Sequence, residues 1–174
     1  MSFRLKQPRW PRFLPTRLVV DCARLGPIGR LKPGPGTWGS VAGLVYFTVC
    51  FIPLGWIGSV ILSLVGAYLA VAFCGEAEVR LQKRDPGEII LDEFIAIPVC
   101  FLGWPLLAEV APRWAVFLAG FALFRLFDIF KPLGIKKLQD LPDGWGVVMD
   151  DLAAALLTCA TLHAGRWVWL AYHT

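Results

Sequence analysis

Three sets of carboxylates stand where the surrounding sequence is too apolar to hold them without a partner. Asp92 and Glu93 follow Ile89-Ile-Leu91 and precede Phe94-Ile-Ala-Ile97. Asp128 lies inside Phe124-Arg-Leu-Phe-Asp-Ile-Phe130, and Asp150 and Asp151 run into Leu152-Ala-Ala-Ala155. An uncompensated charge in such a setting costs several kcal/mol. Asp150 and Asp151 have no base near them in sequence, and one cation shared among the sets is the economical partner. Oxygen-rich clusters of this kind suit Mg²⁺, which pairs one or two carboxylates with waters and a substrate phosphate. The candidate ligands are Glu88, Asp92, Asp128, Asp150 and Asp151.

Each motif also has a plainer reading. Asp85-Pro-Gly-Glu88 has the form of a capped helix start, with Asp at the N-cap, Pro at N1 and Glu at N3. A helix beginning there puts Asp85, Glu88 and Asp92 on one face, with Asp92-Glu93 two turns in. Arg125, Asp128 and Lys131 recur at i, i+3 and i+6, and as an exposed ion-pair ladder they would contribute only a few tenths of a kcal/mol. The flanking Phe124, Leu126, Phe127, Ile129 and Phe130 argue against simple exposure. The functional reading has Asp128 on a metal while Arg125 and Lys131 hold phosphate oxygens. Asp150 could equally cap the last helix. Upstream, Gly34-Pro-Gly-Thr37-Trp-Gly-Ser40 leads into an apolar helix, so Thr37 or Ser40 is an N-cap candidate. The free N–H groups of a helix start also suit a phosphate, which makes both hydroxyls candidate substrate contacts.

The elements that must position these groups are long apolar helices. Of 174 residues 57% are hydrophobic and 17% charged, richer in apolar side chains than an ordinary soluble domain. No charged residue occurs between Lys32 and Glu76, enough for two spans of roughly 20 residues. Eight Trp are consistent with membrane interfaces. The fold expected is an all-α, multi-helix integral membrane protein. Residues 1–26 form a basic N-terminal leader, mobile at the membrane surface up to residue 15 and with a short helix over 16–25. Residues 27–174 form a single helical domain. A hairpin over 41–53 and 56–75 breaks at Pro53-Leu-Gly55, a polar helix continues from 76 to 84, and a second apolar pair covers 94–108 and 114–124. A last helix runs over 152–172, interrupted by His163 and Arg166.

Arg4, Lys6, Arg9, Arg12, Arg17, Arg24, Arg30 and Lys32 precede the first apolar stretch, against one acid, Asp21. No stacking motif or recognition helix accompanies them, so nucleic acid is not an expected partner; retention on the cytoplasmic side explains them better. Two hairpins then return residues 36–40, 85–93, 125–131 and 150–151 to that same side. The five cysteines form no CxxC pair and read as reduced core or lipid-facing residues. Cys74-x5-Arg80 matches the spacing of a cysteine phosphatase loop, but Glu76 and Glu78 inside it would repel an anion. His163 and His173 have no partner motif for a triad.

Together, Gly36-Thr-Trp-Gly-Ser40, Asp85-Pro-Gly-Glu88 with Asp92-Glu93, Phe124-Arg-Leu-Phe-Asp128-Ile-x-Lys131-Pro132 and Gly146-x-x-Met149-Asp150-Asp151 resemble the phosphatidylglycerophosphatase A family. The motifs cover most of residues 30–155 in the family's order. Leu133 and Gly134 stand where a second Pro is common, and Ala154 replaces the usual Gly; neither change removes a charged group. The resemblance implies an Mg²⁺-dependent phosphatase of the bacterial inner membrane, multi-pass, with its active site facing the cytoplasm. It implies a phospholipid substrate, phosphatidylglycerophosphate, cleaved to phosphatidylglycerol and phosphate. A homo-oligomer is compatible with it.

The chemistry then expected has Mg²⁺ held by Asp92, Asp128, Asp150 and Asp151, lowering the pKa of a water. Glu93 positions or deprotonates that water, and Arg125 and Lys131 offset the developing charge. An aspartyl-phosphate route through Asp128 or Asp92 is the variant. A small ion- or proton-coupled transporter is the rival class and predicts acids spread through the bilayer depth; a helical scaffold with structural ion pairs is the third.

Overall fold

The computed structural model describes residues 6–173; Arg4 of the basic leader lies outside them. Every regular element among the described residues is helical. The α-helices are α1 (Thr16–Ala23), α2 (Pro35–Tyr46), α3 (Gly55–Leu81), α4 (Leu91–Cys100), α5 (Trp104–Leu107), α6 (Arg113–Phe130) and α7 (Gly144–His173).

The expected break in the first hairpin is present. After α2 the chain passes through a π-helical turn over Phe47–Phe51 and a 3₁₀ turn over Ile52–Leu54. At Gly55 φ is 66° and ψ −172°, a conformation only glycine reaches without strain. The arms do not pack mainly on each other, because α4 lies between them. Gly43 on α2 sits against Ile97 and Phe94 of α4, and Gly66 on α3 sits against Ile95.

This short, central helix organises the bundle. Alongside it α2 runs parallel, with Gly39 beside Ile90 and Gly43 beside Ile97. On another side α7 is also parallel, Asp151 lying by Asp92 and Cys159 donating to the Leu102 carbonyl at 3.6 Å. Opposite in direction, α3 places Gly66 by Ile95, and α6 pairs Arg125 with Glu93 while Phe117 stacks on Trp104. Parallel neighbours bring their N-terminal parts, and antiparallel neighbours their C-terminal parts, to the end where α4 begins. An aromatic cluster of Phe47, Phe51, Phe101, Trp104 and Phe117 fills the other end.

Two stretches, Pro35–Leu81 and Gly144–His173, are long and apolar enough to cross a membrane. Only 33% and 44% of their most apolar windows is buried inside the protein. Val45, Val49, Trp56, Ile57, Ile61, Leu64, Leu118, Trp167 and Val168 are all more than half exposed, an outer surface that favours lipid over water. At 27 residues α3 is about 40 Å long, more than a hydrocarbon core of about 30 Å. By contrast α4, with 10 residues, is about 15 Å and is shielded by its neighbours.

Four local expectations change. Ser40 and Thr37 do not cap α2: Gly34 is the N-cap, and buried Ser40 donates instead to the Gly36 carbonyl at 2.9 Å. The last helix begins at Gly144, not 152, so Asp150 lies inside it and caps nothing. His163 and Arg166 do not interrupt α7; they bond to the Leu102 and Leu106 carbonyls left free beyond the end of α4. Finally, the leader is docked from Gln7 onward, and buried Pro11 sits in a 3₁₀ turn over Trp10–Phe13.

A side chain on the α2–α4 seam tests this packing. A Cβ at Gly43 would lie 2.8 Å from both Ile97 Cβ and the Phe94 carbonyl. Gly43→Val is expected to destabilise the protein by about 1–3 kcal/mol, read as a lowered thermal midpoint in detergent. Gly165→Val, where a Cβ meets nothing within 4 Å, should leave the midpoint unchanged.

Candidate functional site

The start of α4 is set by the turn before it. Asp85 takes a left-handed φ of 44°, and the Pro86-Gly87 turn closes with Ile89 N–H donating to the Pro86 carbonyl at 2.8 Å. Ile90 N–H then donates to the Ala23 carbonyl at 3.0 Å, and the helix begins one residue later. The capping-box reading of Asp85 and Glu88 is thereby overturned, because a backbone bond to α1 diverts the chain between them and Asp92. Glu88 stands outside the cluster of acids and pairs instead with Arg24. Asp92 and Glu93 consequently lie in the first turn of α4, not two turns in. There the helix dipole favours negative charge, and Asp92 Oδ1 accepts the Glu93 N–H at 3.1 Å.

Asp92, Glu93 and Asp151 offer carboxylate oxygens that all lie within 4.8 Å of one another. Asp92 and Asp151 are each 5% exposed. Buried Glu93 Oε2 has no hydrogen-bond partner, and neither has Asp150 Oδ1. Burial pushes the Asp92 carboxyl well above its ordinary range, reinforced by the charges of Glu93 and Asp151. Burial also raises Glu93, although its bond with Asp92 and the charge of Arg125 act the other way.

The basic groups form one border. Arg125 Nη1 lies 3.0 Å from Asp128 Oδ2 and 4.0 Å from Glu93 Oε1. Lys131 sits at the C-cap of α6, where φ of 44° turns it back; its ammonium bonds to Asp150 and lies 3.5 Å from Asp128. Burial lowers the affinity of Lys131 for its proton, but the Asp150 bond and the charges of Asp150, Asp151 and Asp128 outweigh it and the pKa rises. The ion-pair ladder foreseen for α6 therefore exists, and it is joined to the carboxylates of α4 and α7.

Of the candidate ligands, then, Asp92 and Asp151 meet, with Glu93 as third member. Asp128 and Asp150 are held by the two bases at the edge, and Glu88 is elsewhere. Thr37 and Ser40 lie in the first turns of α2 near Gly36, and among the described residues neither hydroxyl hydrogen-bonds to the acids. The residue the sequence reading left out of the site is Gly36 itself. A Cβ there would overlap Glu93 Oε1 and stand 3.5 Å from Arg125 Nη1. Its signal was visible: Gly36, Gly39, Ser40 and Gly43 put small residues on one helical face, a spacing that lets helices approach closely.

A buried oxygen cage bordered by an arginine and a lysine is chemistry for an anionic, oxygen-rich substrate. The phosphatidylglycerophosphatase A family model matches residues 22–166. The chain belongs to that family. It is thus an enzyme, a phosphatase of the phosphatidylglycerophosphatase kind. It is 34% identical over 147 residues to phosphatidylglycerophosphatase A of Haemophilus influenzae, covering 82% of this chain and 84% of that one. It is 28% identical over 131 residues to the Escherichia coli protein of the same name, covering 74% and 72%. A Bacteroides thetaiotaomicron protein, named provisionally as a phosphatidylinositol-3-phosphatase, is 32% identical over 140 residues, covering 77% and 84%. No solved structure matches the chain.

Gly36→Ala probes the site through backbone proximity alone. The added methyl must push Glu93 aside, and a displacement of about 1 Å at a reacting centre costs on the order of 10²-fold in rate. Phosphate release is expected to fall by that much with the thermal midpoint little changed.

Proposed function

We propose that the protein hydrolyses phosphatidylglycerophosphate to phosphatidylglycerol and inorganic phosphate at the cytoplasmic face of a bacterial inner membrane, with Mg²⁺ as its cofactor. The observation that carries the reading is the convergence of Asp92, Glu93 and Asp151 within 4.8 Å, bordered by Arg125 and Lys131. The donor set fits a hard divalent cation: all ligands are oxygens, and Glu93 Oε2 is buried without a partner. Asp92, Glu93 and Asp151 would hold the ion, with Asp128 and Asp150 within the same ionic network. When bound, Mg²⁺ supplies charge neutralisation at the phosphoryl oxygens and acidifies a coordinated water.

The chain's own residues do the rest. Arg125, bridging Asp128 and Glu93, is placed to hold a phosphoryl oxygen, and Lys131 to offset charge that develops on the leaving side. Glu93, with one free oxygen, is the group placed to orient a water or take its proton. The first turn of α2, brought against Glu93 by Gly36, can offer the Gly36 N–H to the phosphate, since Pro35 has none and the Thr37 N–H donates to the Gly34 carbonyl at 3.0 Å. Glycerol and phosphate lie at the bundle end while the acyl chains remain along the apolar outer faces. A transporter is less well supported, because the acids gather at one end of the bundle and do not line its length. The leader's basic residues favour a cytoplasmic orientation for that end.

Phosphate release from phosphatidylglycerophosphate in detergent micelles should require Mg²⁺, stop with chelator and fall by at least about 10³-fold in Asp151→Asn or Asp92→Asn. Release that is indifferent to chelator would remove the metal from the reaction; none from folded wild type would remove the substrate. The raised carboxyls of Asp92 and Glu93 add a pH signature. They are protonated at higher pH than ordinary acids, and the ion must displace those protons. Half-saturation by Mg²⁺ should therefore shift to lower concentration as pH rises above the ordinary carboxylate range, with protons released on binding in calorimetry. A pH-independent affinity would show that both groups are already ionised.

A further inference from the structure

The family match begins at residue 22, yet the segment before it is bound tightly to the bundle. Arg80, on the last turn of α3, uses all five of its N–H donors. Nε bonds Glu76 Oε1 at 3.0 Å, Nη1 bonds the Leu14 carbonyl at 2.9 Å and Thr16 Oγ1 at 3.1 Å, and Nη2 bonds the Pro11 and Arg12 carbonyls at 3.1 and 3.3 Å. Buried Glu76 is met from the other side by Arg12 at 3.5 Å. Trp10 continues the contact along α3, its indole N–H donating to Tyr68 Oη at 3.2 Å and its ring standing edge-on to Phe73.

The far end of this strap reaches α7. Gln7 is buried where α3 and α7 touch through glycines, and a Cβ at Gly75 would lie 2.6 Å from both Gln7 Oε1 and Gly144 N. Trp145 donates to the Lys6 carbonyl at 3.5 Å. Gly144 opens the helix that carries Asp151 seven residues on, about 10 Å along one rigid element.

We propose that Arg80 is a positioning residue: through the strap of residues 6–14 it holds the first two turns of α7 against α3, and so fixes Asp151 opposite Asp92 and Glu93. This rests on the reading of those three acids as the working site. A simple surface anchor has no need of a half-buried guanidinium with every donor committed to backbone carbonyls, a hydroxyl and an acid. Nor does it need a side chain wedged beside the glycine contact that sets the α3–α7 distance.

Hydrogen exchange of the full chain in detergent, without metal or substrate, separates the two roles. Arg80→Lys keeps a cation beside Glu76 but cannot reach the three strap carbonyls and the Thr16 hydroxyl together. Its amides at 144–151 should exchange at least about tenfold faster while those beyond 160 keep the wild-type rate. Turnover should fall about 10²-fold with the KM for lipid within about twofold. Gln7→Ala, which leaves the Arg80–Glu76 pair intact, should show the same pattern at smaller amplitude and serves if Arg80→Lys does not fold. Exchange at 144–151 unchanged in Gln7→Ala and in any folded Arg80→Lys, or faster throughout all helices equally, overturns the proposal. Wild type that releases no phosphate with Mg²⁺ would sink the functional reading alone, since the exchange comparison still decides what the strap does.

Discussion

Three carboxylates share one buried corner of this bundle, and their mutual repulsion is the constraint to which the surrounding structure answers. Two ionised groups 4.8 Å apart repel by roughly 3.5 kcal/mol even at an effective dielectric of about 20. Among the described residues Arg125 is the only base paired with Glu93, at 4.0 Å, and it is nearer Asp128; Lys131 is committed to Asp150 and Asp128. Five acids facing two bases leave three negative charges if all are ionised. Protonation can absorb part of that excess, in keeping with the raised carboxyls of Asp92 and Glu93. A divalent ion would offset two of the three charges while leaving the acids ionised, and that difference separates an inert acid cluster from a working one.

Holding such a cluster requires helices that approach closely and do not slip. Glycine supplies the approach: Gly36 against Glu93, Gly43 against Ile97, and Gly144 against Val71 and Gly75 each leave no room for a Cβ. Resistance to slippage comes from directional bonds at the same end. Ile90 is tied to α1 through the backbone, Arg24 holds Glu88, and Lys131 ties the end of α6 to α7. Glu88, an acid of the same motif as Asp92, thus supports the helix that carries the site without joining it. Motif membership and chemical role are separate properties of a residue.

Much of this was legible in the sequence, and the reason differs from one element to the next. The apolar runs and Pro53-Leu-Gly55 disclosed the first hairpin because a left-handed glycine after a proline leaves few alternatives. The gathering of acids at one end followed from counting reversals of the chain. What was not legible depended on contacts distant in sequence. The shift of α4 from residue 86 to Leu91 is imposed by a backbone bond from Ile90 to Ala23, and α7 starts at Gly144 because its first turn packs on Gly75. Capping rules failed at Asp85 because a backbone bond to α1 delays the start of α4, and at Ser40 and Asp150 because each lies inside a helix that begins upstream of it. The leader read as mobile because nothing in residues 1–15 announces that Arg80 will gather three of its carbonyls.

The placement of the acids also bears on how a lipid would be handled. Parallel α2, α4 and α7 and antiparallel α3 and α6 can bring charged groups together only at one end, since the other end is packed with Phe47, Phe101, Trp104 and Phe117. A bundle with a polar end and an apolar flank meets a phospholipid in the lipid's own orientation. On the proposed reading the headgroup would meet Arg125 and Lys131 without leaving the interface, and the acyl chains would not have to be desorbed from the bilayer. Extracting a chain would cost about 0.8 kcal/mol for every CH₂ exposed to water. A site working at the depth where the phosphate already lies would avoid that cost. The difficult part of the task is thereby confined to a few buried oxygens, and fixing those few to within an ångström is what the glycine contacts and cross-helix bonds of this end accomplish.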